Sequence, residues 1–502
     1  MPAKLKLLRA RSAAEGESPW PRGSALAAGS QPLYEGVAAR LQAMIEGRTL
    51  RPGDRIPSVR RLHRQWSVSV STVLHAYRLL EARGLIEARP QSGYYVRAGI
   101  KPHQKLRALP PSKEASEAAV EVRSLAVRLS ENASRDDFVK LGCALPDPSF
   151  MPTLELGRLL SKVARHKAES HGYSLVPGHP RLRRELAARL LDSACILRPD
   201  ELVITHGAQE AVYLALRAVT SPGDAVVVES PTYFGLLEVL AALGLRAIEV
   251  RTDPRSGIDL GHLRQVLRQG EVRACALSAN FGNPLGHLMP NAHKAELVAL
   301  LNSLEIPIVE DDVYGELGFE VARPSTLKSF DRAGLVLYCA SVSKTLSPGL
   351  RVGWVAPGRF RDKVVQLKVA SSVGGSVLPE LALAEYLASG RFDRHLRRLR
   401  RSYSARVDAM RLRVAECFPE GVKVSQPQGG HVLWVELPSK VDGLQIHQQA
   451  AEQQISVAPG VMFSPTGRFS NYLRLNCAVP ATPTLDRALT TLGELIARAL
   501  ES

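Results

Sequence analysis

No apolar run in this 502-residue chain is long enough to span a bilayer, so no membrane-crossing helix is expected. The first thirty residues, MPAKLKLLRARSAAEGESPWPRGSALAAGS, carry basic side chains but no sustained apolar core. A secretory signal is therefore not expected, and residues 1–30 read as a mobile leader. Close cysteine pairs are also lacking. Cys143, Cys195, Cys275, Cys339, Cys417 and Cys477 are scattered without metal-ligand spacing, which predicts small buried thiols, no bound metal and a reducing, cytoplasmic setting. No internal repeat stands out. A chain of 502 residues exceeds what one core organises and points to two to four domains.

Acidic residues are short in one place. Residues 1–97 hold 16 Lys/Arg against 7 Asp/Glu, a net of +9 out of +16 for the whole chain. More than half of the excess sits in the first fifth of the sequence, which is the electrostatic footprint of a polyanion-binding module. A basic surface kept for solubility gives the same count, so the pattern has to decide.

In LYEGVAARLQAMIEG the apolar residues Val37, Leu41, Met44 and Ile45 have amphipathic-helix spacing. RPGDRIPS is a turn ending in Ser58, an N-cap for a second helix, VRRLHRQW. Ser69 can cap a third helix from about Val70 to Arg83. Val73, Tyr77 and Leu80 form its inward stripe; Ser71, Thr72 and His75 lie on other faces, where DNA can be met. Two helices joined by a short turn describe a helix-turn-helix. GLIEARPQSGYYVRA then alternates as a two-stranded wing around PQSG. The landmarks RPGDRIPSVR, STVLHAYRLLEARGLI and SGYYV resemble the winged helix of the GntR family of bacterial regulators, over about residues 33–97. The resemblance implies that Arg60, Ser71 and Thr72 face the DNA, with Ser92 and Gly93 at the wing tip near the backbone; Ser69 and His75, beside them on the third helix, are further DNA-binding candidates. It departs at Val70, where the family often has arginine.

Residues 99–136, rich in proline, serine, alanine and alternating charge, read as a tether with one short helix near 115–129. Beyond it AVVVES, RAIEV, VRACALSA, IPIVEDD and LVLYCAS read as buried strands. GAQEAVYLALRAV, TYFGLLEVLAAL and NAHKAELVALLNSL read as helices between them. That alternation predicts an α/β domain with a mainly parallel sheet covered on both faces, whose ligands collect at the carboxyl ends of the strands. The expected organisation is multidomain. A leader (1–30) precedes a mainly α winged helix-turn-helix with a β wing (31–98), a linker (99–136) and the α/β domain (137–502). The large part of that domain covers about 170–375, and a small part combines the C-terminal residues with the first segment.

The predicted strand ends carry residues that fit pyridoxal 5'-phosphate. This cofactor asks for an amine, an acid opposite the ring nitrogen, a phosphate cradle, a ring stacker and donors for the ring oxygen. Lys344, in SVSKTLSPGLRVGW, follows LVLYCAS and can supply the amine. Asp311 ends IPIVE and can hold the pyridinium proton, while Tyr314 and Asn283 can share the phenolic oxygen. THGAQEA sets Gly207, Ala208 and Gln209 between a strand and a helix start, where amides and dipole bind phosphate. Ser341, Ser343 and Arg351 add hydroxyls and a bidentate charge, Tyr233 can stack on the ring, and Arg474 is a fork for a carboxylate. Singly, each is commonplace. Their order along the chain carries the signal.

That order resembles the fold-type I, class I aminotransferases from about residue 137 onward, with GYSLVPGHPRLR fitting as well. The resemblance implies that Tyr173 reaches across a dimer interface to the partner's cofactor phosphate, and that Gly142 borders the substrate. A GntR-like winged helix joined to such a domain resembles the MocR subfamily of bacterial transcription regulators. This implies a homodimer, often head-to-tail, bound to double-stranded operator DNA and associated with the nucleoid. An amino compound, or the cofactor itself, would be sensed through imine exchange at Lys344. A working aminotransferase with an appended DNA module is the alternative.

Overall fold

The computed structural model describes residues 33–47, 49–51, 53–82, 85–89, 93–96, 109, 117–118, 123–320 and 323–501. They fall into two compact units, divided at residue 104.

In the first unit, helices α1 (Leu33–Glu46), α2 (Val59–Trp66) and α3 (Val70–Ala82) close around Val37, Leu41, Leu62, Val73, Tyr77 and Leu80, all fully buried. Serines fix both helix starts: Ser58 Oγ accepts the Arg61 amide at 3.3 Å, and Ser69 Oγ accepts the Thr72 amide at 3.0 Å. Between α2 and α3, Ser67 takes φ 51°, the left-handed conformation that ends a helix and turns the chain. The wing is β1 (Ile86–Arg89) paired antiparallel with β2 (Gly93–Val96), Ile86 opposite Val96. The turn before α2 forms the other edge of β2: Val96 N donates to Asp54 O at 2.8 Å, and Ile56 N to Tyr94 O at 3.0 Å. Helix, turn, helix and wing are thus present as the sequence pattern predicts. Ser92 lies outside the described residues.

In the second unit the main sheet runs, in spatial order, Glu117–Ala118, Arg246–Asp253, Ala225–Ser230, Val272–Leu277, Ile308–Asp311, Val336–Ser341, Gly353–Ala356 and Val203–Thr205. The five strands from Arg246–Asp253 to Val336–Ser341 are mutually parallel, and Gly353–Ala356 runs against both its neighbours. Ala225–Ser230 and Val336–Ser341 are buried along their whole length, which is why they open with the apolar runs AVVV and VLYCA instead of alternating. One expectation shifts. The helix sought near 115–129 lies at Arg123–Ser134, and Glu117–Ala118 pairs antiparallel with the edge strand at Ile248 and Ala247. Edge pairing outweighs the local helix preference of EASEAA, while Leu125, Ala126 and Leu129 pack on the sheet core and fix the helix further along.

A smaller antiparallel sheet, Lys423–Val424, Val432–Glu436, Tyr472–Asn476 and Ala458–Pro459, packs with helices Arg391–Cys417 and Pro483–Glu501 around Leu433, Leu473 and Leu475. Val139–Lys140 pairs in parallel with Ile455–Ser456 in a separate two-stranded sheet. Among the described residues, no helix is long and apolar enough to cross a membrane.

Candidate functional site

Register builds the site. Ser341 is opposite Gly353, and Gly353 is opposite Thr205. One edge of the sheet therefore receives Lys344, Arg351 and the Gly207 turn together. The parallel neighbours end at Ser230, Leu277 and Asp311, and they deliver Tyr233, Asn283, Asp311 and Tyr314 to the same edge. Lys344, Ala208, Gln209, Tyr233, Asn283, Asp311, Tyr314, Ser341, Ser343, Arg351 and Arg474 all line one cleft of about 440 Å³.

One end of the cleft is a backbone device. Gly207 has φ 79° and opens helix Gly207–Val219, whose first turn has no side-chain cap, so the amides of Ala208 and Gln209 are available to an anion. Gln209 Nε2 donates to Gly235 O at 2.7 Å, so this side chain braces the turn. Arg351 donates from Nη2 to His206 O at 2.9 Å and itself has φ 51°. A non-glycine residue held in the left-handed region carries backbone strain that the surrounding packing has to sustain.

At the other end, Lys344 Nζ donates to Ala144 O at 2.6 Å. Burial, followed by the nearby Arg474 cation, pulls the amine down to about 8. A much larger fraction is then neutral and nucleophilic near neutral pH than in a free lysine. Burial pushes Asp311 up to about 6, and the Val313 amide donates to it at 3.3 Å. A protonated ring nitrogen set against this carboxylate would draw it back to the charged form. Burial also raises the Tyr314 phenol. Arg474 is fully buried; Nη2 donates to Gly142 O, which places Gly142 beside the cleft.

Four buried atoms around Lys344 have no hydrogen-bond partner among the described residues: Asn283 Oδ1, Tyr314 Oη, Arg474 Nε and Arg474 Nη1. Buried polar atoms are normally satisfied. One acceptor, one hydroxyl and half of a guanidinium fork at a single cleft fit a ligand that carries a phenolic hydroxyl, donating to Asn283 Oδ1 and accepting from Tyr314 Oη, and a carboxylate.

A layer behind these residues leaves no signal in the local sequence. Tyr403 Oη donates to Lys344 O at 3.4 Å, and the His431 ring lies 5.0 Å from Tyr403 and 5.5 Å from Tyr314. Burial, then the Lys344 charge, pushes His431 down to about 3, so it stays a neutral imidazole bonded through Nδ1 to Asn476 Oδ1 at 3.0 Å. Beneath Asp311, Asp312 pairs with Arg323 and accepts from Tyr338 Oη at 2.9 Å and Asn280 Nδ2 at 2.9 Å. These contacts join residues tens to hundreds of positions apart, and no local spacing announces them.

Tyr173 is 98% exposed and lies outside the cleft of its own chain. On the first unit, Arg60, Ser69, Ser71 and His75 are exposed, and Thr72 is half-buried. Ser69 Oγ lies 2.8 Å from Ser71 Oγ and 2.7 Å from Thr72 Oγ1, so three hydroxyls cluster at the start of α3. Gly93 is exposed at the start of β2 with φ 104°. Val70 is 42% exposed, so a branched apolar side chain stands at the surface where the GntR family often has arginine.

A winged helix and a sheet-edge cleft of this design define a two-part class, and comparison with known proteins agrees for both parts. Residues 144–492 match the family model of aminotransferase class I and II, and residues 33–96 match that of the bacterial regulatory proteins, gntR family. The chain belongs to the helix-turn-helix transcription regulators that carry a fold-type I aminotransferase domain, the MocR-type architecture. The uncharacterized HTH-type transcriptional regulator YjiR of Escherichia coli (strain K12) is 39% identical over 476 residues, covering 93% of this chain and 99% of that protein. YdcR, another uncharacterized HTH-type transcriptional regulator of the same organism, is 40% identical over 469 residues, with the same coverage. Among solved structures, α-aminoadipate aminotransferase LysN from Thermus thermophilus, complexed with N-(5'-phosphopyridoxyl)-L-leucine, superposes with a TM-score of 0.70. It is 29% identical, covering 76% of this chain and 96% of that one.

Proposed function

We propose that this regulator binds pyridoxal 5'-phosphate in the cleft and uses it to sense an amino compound, changing how the winged helices of a homodimer engage operator DNA. The observation that carries this reading is the set of unpartnered buried atoms of Asn283, Tyr314 and Arg474 around the Lys344 amine. When bound, the cofactor supplies an aldehyde carbon at which an amine can be held covalently and exchanged for another.

This chain's residues do the rest. The amides at Gly207, Ala208 and Gln209, with Ser341, Ser343 and Arg351, hold the phosphate. Tyr233 stacks on the ring, Asp311 faces the ring nitrogen, and Asn283 and Tyr314 hold the ring oxygen. Lys344 offers a near-neutral amine, and Arg474, beside Gly142, receives the effector's carboxylate. The exposed Tyr173 reaches the phosphate of the partner subunit in a head-to-tail homodimer. Arg60, Ser69, Ser71, Thr72 and His75, with Ser92 and Gly93 on the wing, meet the DNA, and the protein acts in the cytoplasm, on the nucleoid. For the cleft to act as a switch, the effector has to favour one dimer geometry over the other; tight binding alone shifts nothing.

The lowered Lys344 pKa also favours a second reading, turnover as an aminotransferase, because a neutral amine can move a proton at the substrate α-carbon. Titrating the cofactor-loaded protein with a panel of amines, then a keto acid, separates the two. A visible band that shifts and stays supports sensing. A band that is lost with the amine and restored by the keto acid supports turnover. A band that no amine moves would contradict both.

A further inference from the structure

The long helix Arg391–Cys417 opens with RFDRHLRRLRR, six arginines against one aspartate. The inward residues Phe392, His395, Leu396 and Leu399 anchor it to the core of the second unit. Arg400 is used internally: its Nε donates to Glu316 O at 2.6 Å, and Nη2 pairs with Glu316 at 3.2 Å. Asp393 is spent on Arg189 at 2.7 Å. The remaining five, Arg391, Arg394, Arg397, Arg398 and Arg401, are exposed, and among the described residues none pairs with a carboxylate. At 3.6 residues per turn they fall within an arc of about 120° and extend along about 15 Å of the axis.

Five uncompensated guanidinium groups on one exposed strip repel one another, so the strip costs stability unless an anion meets it. Its length and linear charge suit the phosphates of a nucleic acid backbone, and this same polypeptide carries a DNA-binding module. We propose that the Arg391–Arg401 face is a second DNA-contacting surface, located on the aminotransferase-like unit. It would engage the backbone of duplex bound by the winged helices, without reading its sequence. Backbone contacts of this kind set affinity and position, while base contacts stay with the winged helix. The inference rests on the reading of the chain as a DNA-binding regulator.

The test is the salt dependence of binding to a fluorescein-labelled, mixed-sequence duplex several helical turns long, using the full-length, cofactor-loaded protein. Wild type is compared with R391Q/R394Q/R397Q/R401Q, with the same four positions changed to lysine, and separately with Arg60→Ala. Arg398 is kept, because its side chain contacts His395 Nδ1 at 3.4 Å. The glutamine variant is expected to flatten the log–log salt slope by about 2 to 4 and to weaken binding at low salt, and the lysine variant to restore both. A melting temperature no lower than that of wild type, with the visible band unchanged, shows that the fold is intact; relief of the repulsion is expected to raise it. If the glutamine variant keeps the wild-type slope while Arg60→Ala weakens binding, the second surface is wrong and the winged-helix reading stands. Failure of wild type itself to bind DNA overturns both. Loss of slope in the glutamine variant without recovery by lysine also contradicts the proposal, since a phosphate contact asks only for the charge.

Discussion

Lys344 shows how a functional residue works against its own fold. Its pKa is lowered to about 8 from 10.5, chiefly by burial, so in the cofactor-free protein the ammonium form is disfavoured in the folded state. Below about pH 8 both folded and unfolded states are protonated and the penalty is complete; between 8 and 10.5 the unfolded state holds more protons, so stability rises with pH. Lys344→Met should therefore stabilise the cofactor-free protein by about 2–3 kcal/mol at pH 7, with a gain that shrinks as pH climbs toward 10.5. Melting curves at several pH values check this, and a gain that grows with pH is the contrary result. Lys344→Ala should also abolish the imine band of the loaded protein without unfolding it. Asp311 gives a second test. Asp311→Ala removes the carboxylate proposed to face the ring nitrogen and should weaken cofactor retention by about tenfold or more, read by equilibrium dialysis. Undiminished retention would remove Asp311 from the site.

Turns and caps do the positioning at the scale of the element. Gly353 sits so close to Gly207 and the Ala208 amide that a Cβ there would collide with backbone. Gly353→Ala should push the Gly207 turn outward and lower affinity for the cofactor phosphate, while affinity for pyridoxal, which lacks that group, falls less. Equal losses for both would argue against a local effect. In the first unit, Ser58 caps α2, and Ser58→Ala should cost about 1 kcal/mol of that unit's stability. The sequence made the buried parallel strands and the serine caps legible, because a strand covered on both faces must be apolar throughout and a cap needs one hydroxyl at one position. It hid the two-residue edge strand Glu117–Ala118, the left-handed Arg351 and the reversed strand Gly353–Ala356, since each depends on a neighbour distant in sequence.

For the whole molecule, the cleft's residue types were readable because the cofactor's chemistry demands an amine, an acid, a stacker and a phosphate cradle in a fixed order along an α/β chain. The layer that tunes them was not. His431, Tyr403 and Asn476 come from the smaller sheet and the long helix, and they close on Lys344 and Tyr314 only after folding. That layer links the smaller sheet to Lys344 and Tyr314, so a ligand held by Arg474 on strand Tyr472–Asn476 would have a physical route by which to bias the unit's conformation. His431→Phe should preserve cofactor loading but alter the amine concentration that half-shifts the visible band; an unchanged midpoint would exclude His431 from that route.

The central claim is that occupancy of the cleft changes DNA binding. Its most direct test measures the affinity of the cofactor-loaded protein for a duplex that the protein has itself selected from a random pool, with and without each amine that shifts the visible band. At least one such amine should change the dissociation constant by about fivefold or more, and Lys344→Ala should abolish the change. An affinity that stays constant while the band shifts would contradict it, leaving a cleft and a winged helix that share a chain without sharing a function.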